Sequence, residues 1–205
     1  MSLIGWSLGE ERIGGYAVRY PDKVEKLVLY APAYPPNQPN DPPTLPEPGV
    51  PMTVLSVDDF AGWDGEVKCE DQFTPAIRDV VTSINLEFDP LGSTWGEVGV
   101  RRSPVQGTLW GWNATVAPRI HAPTLIIAGD LDRMTGVTEG RNLYDDLLID
   151  SKVFVHVACA SHFLVWENQH MVLLRASEEW LRHGTFAGHP NGSFFVDTEG
   201  NVHEE

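Results

Sequence analysis

The sequence predicts an α/β protein in which a parallel sheet is covered by flanking helices. Short, continuously apolar runs, the pattern of strands buried on both faces, alternate with stretches of helical spacing. Strands that alternate with helices imply right-handed crossovers and therefore a parallel sheet. The chain has 205 residues, of which 42% are hydrophobic, so it is long enough to bury the core of one such domain.

The first part of the chain predicts a strand, a helix and a second strand. Residues Met1 to Trp6 are apolar and suit a strand, and apolar residues at helical spacing follow from Leu8 to Tyr20. Pro21 ends this helix, because proline lacks the N–H group that a helix interior needs. The apolar run from Lys26 to Pro32 predicts a strand buried on both faces.

The middle of the chain changes in character. Residues 35–56 carry eight prolines, which favour an extended or loop conformation over packed secondary structure. This stretch could be a domain linker, but sheet-like sequence resumes later, so we favour an excursion out of the sheet. Residues 57–120 are predicted to be mainly helical, and Phe73 to Leu86 is the best candidate helix. Four of the seven tryptophans lie in this part of the chain: Trp63, Trp95, Trp110 and Trp112.

The last part of the chain returns to alternating strands and helices, and ends in a hairpin. The predicted elements are a strand from Pro123 to Ala128, a helix from Thr138 to Leu148, a strand from Lys152 to Val157, an amphipathic helix from His170 to His183, and a hairpin from Ser193 to His203 about a turn at residues 199–201.

Composition restricts the class of partner. The formal net charge is −15 and the isoelectric point is about 4.7, so nucleic acid and anionic membranes would repel the chain. No apolar run reaches the roughly 18–20 residues of a membrane span, and no signal peptide is visible. The sequence leaves the compartment unknown, and a cytoplasmic location is favoured. The two cysteines, Cys69 and Cys159, have no metal-ligand spacing, and a disulfide between them is improbable.

One short motif indicates chemistry. Gly5-Trp6-Ser7-Leu8-Gly9 fits G-x-S-x-G, in which a sharp turn from a strand into a helix exposes a nucleophilic serine. The pattern arises by chance in about one chain of this length in fifteen. Between a predicted strand and a predicted helix it is more specific, and we assign a plain surface turn roughly one chance in ten.

A serine hydroxyl needs an imidazole to take its proton, and the imidazole needs a carboxylate to orient it. Ser7, Asp132 and His162 each follow a predicted strand, so all three fall at the edge of a parallel sheet where ligands bind. Asp130 competes with Asp132, with a prior of about one in six, because alternate residues leaving a strand face different ways. His156 is the main rival of His162, but it lies inside a predicted strand and should face a packing layer.

Together these residues resemble the C-terminal part of an α/β-hydrolase of the esterase/lipase group, without the first strands. The similar segments are Gly5–Gly9, Tyr20–Leu29, Gly129–Asp132, and Ser161–Phe163 followed by Glu167. For Glu167 itself we expect a structural role. The resemblance implies an incomplete hydrolase core over residues 1–34 and 118–184. Residues 35–117 would form a Pro-rich excursion and a cap or lid, and residues 185–205 a tail.

The resemblance implies a serine hydrolase that cleaves small carboxylic esters through an acyl-enzyme, without cofactor or metal. Ser7 would be the nucleophile, His162 the general base and then acid, and Asp132 the orienting carboxylate. The N–H of Leu8 would bind the oxyanion and Trp6 the substrate. Amide, lactone or carbon–carbon bond hydrolysis on the same triad is an alternative. An inactive or partner-dependent fragment is another.

Two departures from the family pattern favour the last alternative. Glu10 and Glu11 stand where the family commonly has small residues, and they place negative charge near the oxyanion. The second oxyanion donor of the family comes from a loop before the elbow, which this sequence does not contain. The first strand would also be an open edge, so we expect it to pair with a second copy or with a separate N-terminal fragment.

Overall fold

A computed structural model of the protein describes residues 1–37, 53–55, 63, 65–95, 99–102 and 112–205. Eight strands and four α-helices lie in these ranges. The strands are β1 (Ser2–Trp6), β2 (Lys26–Tyr30), β3 (Thr53–Leu55), β4 (Val100–Arg102), β5 (Thr124–Gly129), β6 (Lys152–Val157), β7 (Gly192–Val196) and β8 (Val202–Glu204). The helices are α1 (Leu8–Arg19), α2 (Ala76–Phe88), α3 (Gly136–Asp146) and α4 (His170–His183).

Six strands form one sheet in the order β1-β2-β5-β6-β7-β8, and the predicted parallel sheet is confirmed. Strands β1, β2, β5, β6 and β7 run parallel to one another, and β8 pairs antiparallel with β7 in the predicted hairpin. Every residue of β5 is buried, as expected of a central strand with both faces covered. The carboxyl ends of β1, β2, β5 and β6 therefore lie along one edge of the sheet.

Helices cover both faces of the sheet, because alternate strand residues point to opposite sides. Val28 and Tyr30 share one core cluster with Leu173 and Trp180 of α4. A second cluster, on the other face, joins strand residues to helices α1 and α3; its members include Leu27, Leu29, Ala17, Leu143 and Phe154. The site at the edge thus rests on a core that is packed on both sides.

The predicted helices exist, with shifts at their ends. The helix predicted at His170–His183 has those bounds and stops at Gly184, whose φ of 71° lies in the left-handed region that ends many helices. The helix predicted from Phe73 begins instead at Ala76, directly after Pro75, and extends to Phe88. Phe73 lies outside the helix because its ring stacks on Trp63 at a centroid distance of 5.1 Å.

The described part of residues 57–120 is not helical throughout. Within residues 57–120, Val100–Arg102 forms strand β4 and pairs antiparallel with β3. Most of the Pro-rich segment 35–56 lies outside the described residues, as do the side chains of Trp95 and Trp110. The division into core, cap and tail stays a prediction. In the described part of the chain, no helix has the length and apolarity that crossing a bilayer requires.

The expectation of no disulfide is wrong. Cys69 and Cys159 are joined, with their Cα atoms 5.7 Å apart and 90 residues between them in sequence. The bond forms because the chain around Cys69 packs against the loop after β6, and sequence spacing says nothing about such a contact.

Strand β1 lies at an end of the sheet and pairs, among the described strands, with β2. The side chain of Ile4 on this strand is 58% exposed, which is unusual for an isoleucine in a sheet of buried strands. Both features suit an edge that another strand could cover. Association along this edge stays a prediction.

Candidate active site

The predicted nucleophile lies on a sharp turn between β1 and α1. Ser7 has φ 53° and ψ −127°, a region that non-glycine residues rarely occupy and that indicates local strain. Its N–H donates to the carbonyl of Tyr30 on β2 at 3.0 Å, and its own carbonyl accepts from the N–H of Glu10 at 2.9 Å. These bonds hold the turn in the geometry of a nucleophile elbow.

The two glycines of the motif differ in what they do. A Cβ atom on Gly5 would stand 2.8 Å from the backbone of Glu10, so this position requires glycine for the close contact of strand and helix. A Cβ atom on Gly9 would meet no atom within 4 Å. Local packing therefore explains the first glycine of the pattern and leaves the second free to change.

The predicted base and its carboxylate are hydrogen-bonded. His162 Nδ1 lies 2.9 Å from Asp132 Oδ2, and both side chains are buried. Asp132 Oδ1 also accepts from the N–H groups of Met134 and Thr135, each at 2.9 Å. Burial alone would raise the pKa of Asp132, but the bonds from His162 and Thr135 outweigh it and lower that pKa. An ionised carboxylate thus faces Nδ1, which leaves Nε2 as the ring nitrogen available for proton transfer.

The main chain of His162 is fixed from the elbow side. Its carbonyl oxygen accepts from Trp6 Nε1 at 3.0 Å and from the Tyr30 hydroxyl at 2.7 Å. The Trp6 indole also lies against the imidazole, with ring centroids 5.7 Å apart. Because Ser7 directly follows Trp6, the elbow meets at this point the loop between β6 and α4 that carries His162 (residues 158–169), here termed the histidine loop. The indole N–H of Trp6 therefore holds the histidine loop, which the sequence did not predict.

The site residues predicted from sequence therefore gather at one edge of the sheet. Ser7 follows β1, Asp132 follows β5, and His162 follows β6. Leu8, the expected oxyanion donor, is the first residue of α1. The first N–H groups of a helix have no intrahelical acceptor, and the helix dipole favours a negative charge near them.

The alternative pair, Asp130 and His156, forms a separate contact. Asp130 Oδ1 lies 2.6 Å from His156 Nδ1, and His156 Nε2 lies 2.9 Å from Glu205 Oε1. Asp130 thus turns away from His162, as expected for residues that alternate in direction after a strand. Each of the two candidate carboxylates has its own histidine, a pairing that no local pattern indicates.

The sequence predicts that Glu10 places a negative charge near the oxyanion, but the contacts of its side chain do not favour that charge. Glu10 is fully buried, and its Oε1 accepts from Trp112 Nε1 at 2.7 Å. Burial raises the pKa of Glu10 well above its usual value, and the charges of Glu11 and Glu139 raise it further. Glu10 therefore favours the neutral form, which would not repel an oxyanion. Trp112 packs in the core beside α1.

An aromatic cluster surrounds the histidine loop. Trp6 contacts Phe163 and Trp166 with centroid distances of 6.2 and 5.1 Å, and Trp63 packs on the same two rings. Phe163 and Trp166 are half-buried, whereas Trp63 is buried. In the part of the chain that the structure describes, no three histidine, cysteine or acidic side chains are arranged to hold a metal ion.

Comparison with solved structures identifies similar proteins. The chain is 25% identical to a monoacylglycerol lipase from Paleococcus ferrophilus, with a TM-score of 0.52, over 89% of this chain and 68% of that one. It is 16% identical to a meta-cleavage product hydrolase from Pseudomonas fluorescens, with a TM-score of 0.51, over 90% and 65%. It is 12% identical to a serine hydrolase from Cycloclasticus zankles, with a TM-score of 0.53, over 91% and 65%.

The chain thus spans about two thirds of the length of each of these three proteins. Similarity at 12–16% identity shows a shared fold and no more. No protein-family model and no curated protein matches the sequence.

Proposed function

The chain has the α/β-hydrolase fold, and from it we propose a serine hydrolase that cleaves small carboxylic esters through an acyl-enzyme. The observation that carries this proposal is the buried 2.9 Å contact between His162 Nδ1 and Asp132 Oδ2, formed beside the elbow that bears Ser7. An oriented imidazole next to a strained serine turn is the arrangement that nucleophilic acyl transfer requires.

The proposed reaction has two halves. His162 Nε2 takes the proton of Ser7 Oγ while Oγ attacks the ester carbonyl carbon, and Asp132 stabilises the imidazolium. The carbon–oxygen bond to the alcohol then breaks, and the alcohol leaves with the proton from His162. Water attacks the acyl-enzyme in the same way and releases the acid and free Ser7.

The N–H of Leu8 is one proposed donor to the oxyanion, because it opens helix α1 directly after the nucleophile. Loss of one oxyanion donor costs about 10²–10³ in rate. A chain that depends on a partner for its second donor would therefore be slow when alone. The alternative of a partner-dependent fragment therefore predicts a slow reaction for the chain alone and a faster one with its partner.

Esters are the proposed substrates because the 25% identical protein is a lipase. Amide, lactone and carbon–carbon bond hydrolysis use the same triad and stay alternatives. The half-buried rings of Trp6 and Phe163 beside His162 suit an apolar acyl group more than a charged one.

A fluorophosphonate probe tests the proposal, because it reacts with an activated serine whatever the preferred substrate. We expect an adduct on the peptide that contains Ser7, found by mass spectrometry. Ser7→Ala and His162→Ala should abolish it, whereas Ser2→Ala, which changes an exposed serine on the preceding strand β1, should not. No adduct on a folded sample, or an adduct on another serine, would contradict the proposal.

A further inference from the structure

Glu167, five residues after His162, lies in an unusual environment. Its side chain is buried, and its carboxylate accepts four hydrogen bonds. Two come from its own loop: the Ser161 N–H to Oε2 at 2.8 Å and the Ser161 hydroxyl to Oε1. Two come from a different part of the chain: Gln72 Nε2 at 3.0 Å and Trp63 Nε1 at 3.3 Å, both to Oε1. One carboxylate thus joins two segments about 100 residues apart in sequence.

The hydrogen-bond donors around Glu167 require an acceptor at this position. The backbone N–H and the indole N–H can only donate. The Gln72 amide is also fixed, because its oxygen accepts from the N–H groups of Lys68 and Cys69 at 2.8 and 3.2 Å. Its nitrogen must then face Glu167 and the Glu66 carbonyl. A group that only accepts hydrogen bonds, a carboxylate, is what these donors require.

The segment that supplies Trp63 and Gln72, here termed the clamp segment (residue 63 and residues 65–74), also contacts the histidine loop elsewhere. The N–H of Asn168 donates to the carbonyl of Gln72 at 2.9 Å, and the Asn168 amide donates to the carbonyl of Asp71. The disulfide joins Cys69 of this segment to Cys159, three residues before His162. The histidine loop is thus held to the clamp segment at both of its ends.

The clamp segment also reaches the loop that carries the orienting carboxylate. Glu66 Oε2 accepts from the N–H of Arg133, the residue after Asp132, at 3.1 Å. The side chain of Glu66 is buried, so water competes weakly for this bond. One short segment therefore contacts both loops whose side chains form the 2.9 Å pair of His162 and Asp132.

We infer that Glu167 is a positioning residue through which the clamp segment controls the placement of His162 against Asp132. This inference rests on the proposed function and adds a residue and a segment to the same site. Glu167 does not touch the reacting atoms. A displacement of the histidine by about 1 Å is enough to cost on the order of a hundredfold in rate, so the four bonds bear on catalysis.

The competing account is that Glu167 only stabilises its own loop through Ser161. Variants of the donors in the clamp segment separate the two accounts. Gln72→Ala and Trp63→Phe remove one bond each to Glu167 and leave both bonds from Ser161 in place. Glu167→Gln places an amide N–H₂ against donors and disrupts both sets of bonds. Glu178→Gln removes an exposed carboxylate on α4 and is the matched control.

Two measurements are made on each variant in the oxidised protein, with free thiols counted to ensure that the disulfide is intact. The first is the rate of fluorophosphonate labelling of Ser7, together with kcat and KM for a p-nitrophenyl ester. The second is hydrogen exchange of the peptide that covers residues 158–168, which does not depend on activity.

If the inference is right, Gln72→Ala and Trp63→Phe lower the labelling rate and kcat about tenfold or more, leave KM within about twofold, and speed exchange in the histidine loop. Glu167→Gln has the same effects or larger ones, and Glu178→Gln has none. Unchanged labelling and exchange in both clamp-segment variants would overturn the inference.

Failure of the proposed function gives a different result. If the parent protein is never labelled at Ser7, hydrogen exchange alone decides the inference. Faster exchange of residues 158–168 in Gln72→Ala would support the coupling of the two segments, and unchanged exchange would refute it.

Discussion

The hydroxyl of Tyr30 donates a 2.7 Å hydrogen bond to the main-chain carbonyl of His162. Tyr30 and Trp6 are paired in register on neighbouring strands, and both donate to this one oxygen. Burial raises the pKa of the Tyr30 phenol well above its usual value, so the hydroxyl stays a donor. The histidine is thus held by its main chain from the elbow strands and by its ring from Asp132.

Tyr30→Phe should destabilise the protein and slow the reaction at Ser7. The change removes the bond to His162 and the acceptor for the N–H of Val165, while the ring keeps its packing. We expect a loss of about 1–2 kcal/mol in the free energy of unfolding and a several-fold slower labelling. Urea titration and probe kinetics measure the two effects. Tyr16→Phe on α1 is the control, and equal effects of both variants would contradict the assigned role.

Asp132→Asn and Asp130→Asn should differ sharply in activity. Asparagine at position 132 offers an amide to Nδ1 of His162 and favours the wrong tautomer, which costs about 10⁴ in rate in a serine protease triad. Asparagine at position 130 affects only the contact with His156, so labelling should stay within about twofold. Probe kinetics on the two variants measure this difference. A large loss in Asp130→Asn would return that residue to the list of candidate orienting groups.

Glu10→Gln should stabilise the protein at high pH. The pKa of Glu10 is raised above its usual value of 4.5 in the folded state. Above pH 4.5 the unfolded chain therefore loses this proton while the folded protein keeps it, and the free energy of unfolding falls until the pH passes the folded pKa. Glutamine does not titrate, and its oxygen can still accept from Trp112. The variant should therefore gain over the parent in chemical denaturation as the pH rises above 4.5. The control Glu70→Gln, which changes an exposed carboxylate, should show no gain. If the free energy of unfolding depends on pH in the same way in Glu10→Gln and in the parent, the raised pKa of Glu10 is refuted.

His156→Gln should remove a second loss of stability with rising pH, which here comes from a favoured charged form. The bond to Asp130, followed by that to Glu205, raises the pKa of His156 above 6.5. The stability from its charged form is therefore complete below about pH 6.5 and is lost as the pH rises through the folded pKa. The free energy of unfolding should fall less steeply over this range in the variant than in the parent. His183→Gln, on an exposed histidine, should leave the slope unchanged; an unchanged slope in His156→Gln would refute the contact.

The strands, the elbow and the last helix could be predicted from sequence because local patterns determine them. An apolar run such as Thr124–Gly129 is buried wherever the sheet places it, and Gly5 is required by the next turn of chain. The order Ser7, Asp132, His162 could also be predicted, because each follows a strand and parallel strands end at one edge.

The connections between distant segments could not be predicted. The bond from Cys69 to Cys159, the contact of Gln72 with Glu167 and the pairing of Asp130 with His156 each join residues whose neighbours in sequence carry no sign of the partner. The start of α2 at Ala76 was also missed, because Phe73 packs on Trp63 and not within a helix. Tertiary packing decides these features, and it overrides local propensity.

The disulfide also affects what a protease could release from this protein. Cys69 and Cys159 enclose the chain between them, so a single backbone cut anywhere from residue 70 to residue 158 leaves the two pieces covalently joined. The nicked protein would keep Ser7 on one piece and His162 on the other, and would separate into two bands only after a thiol is added. Its fragments could therefore remain assembled, with the elbow and the histidine loop in one particle, after the polypeptide is no longer continuous.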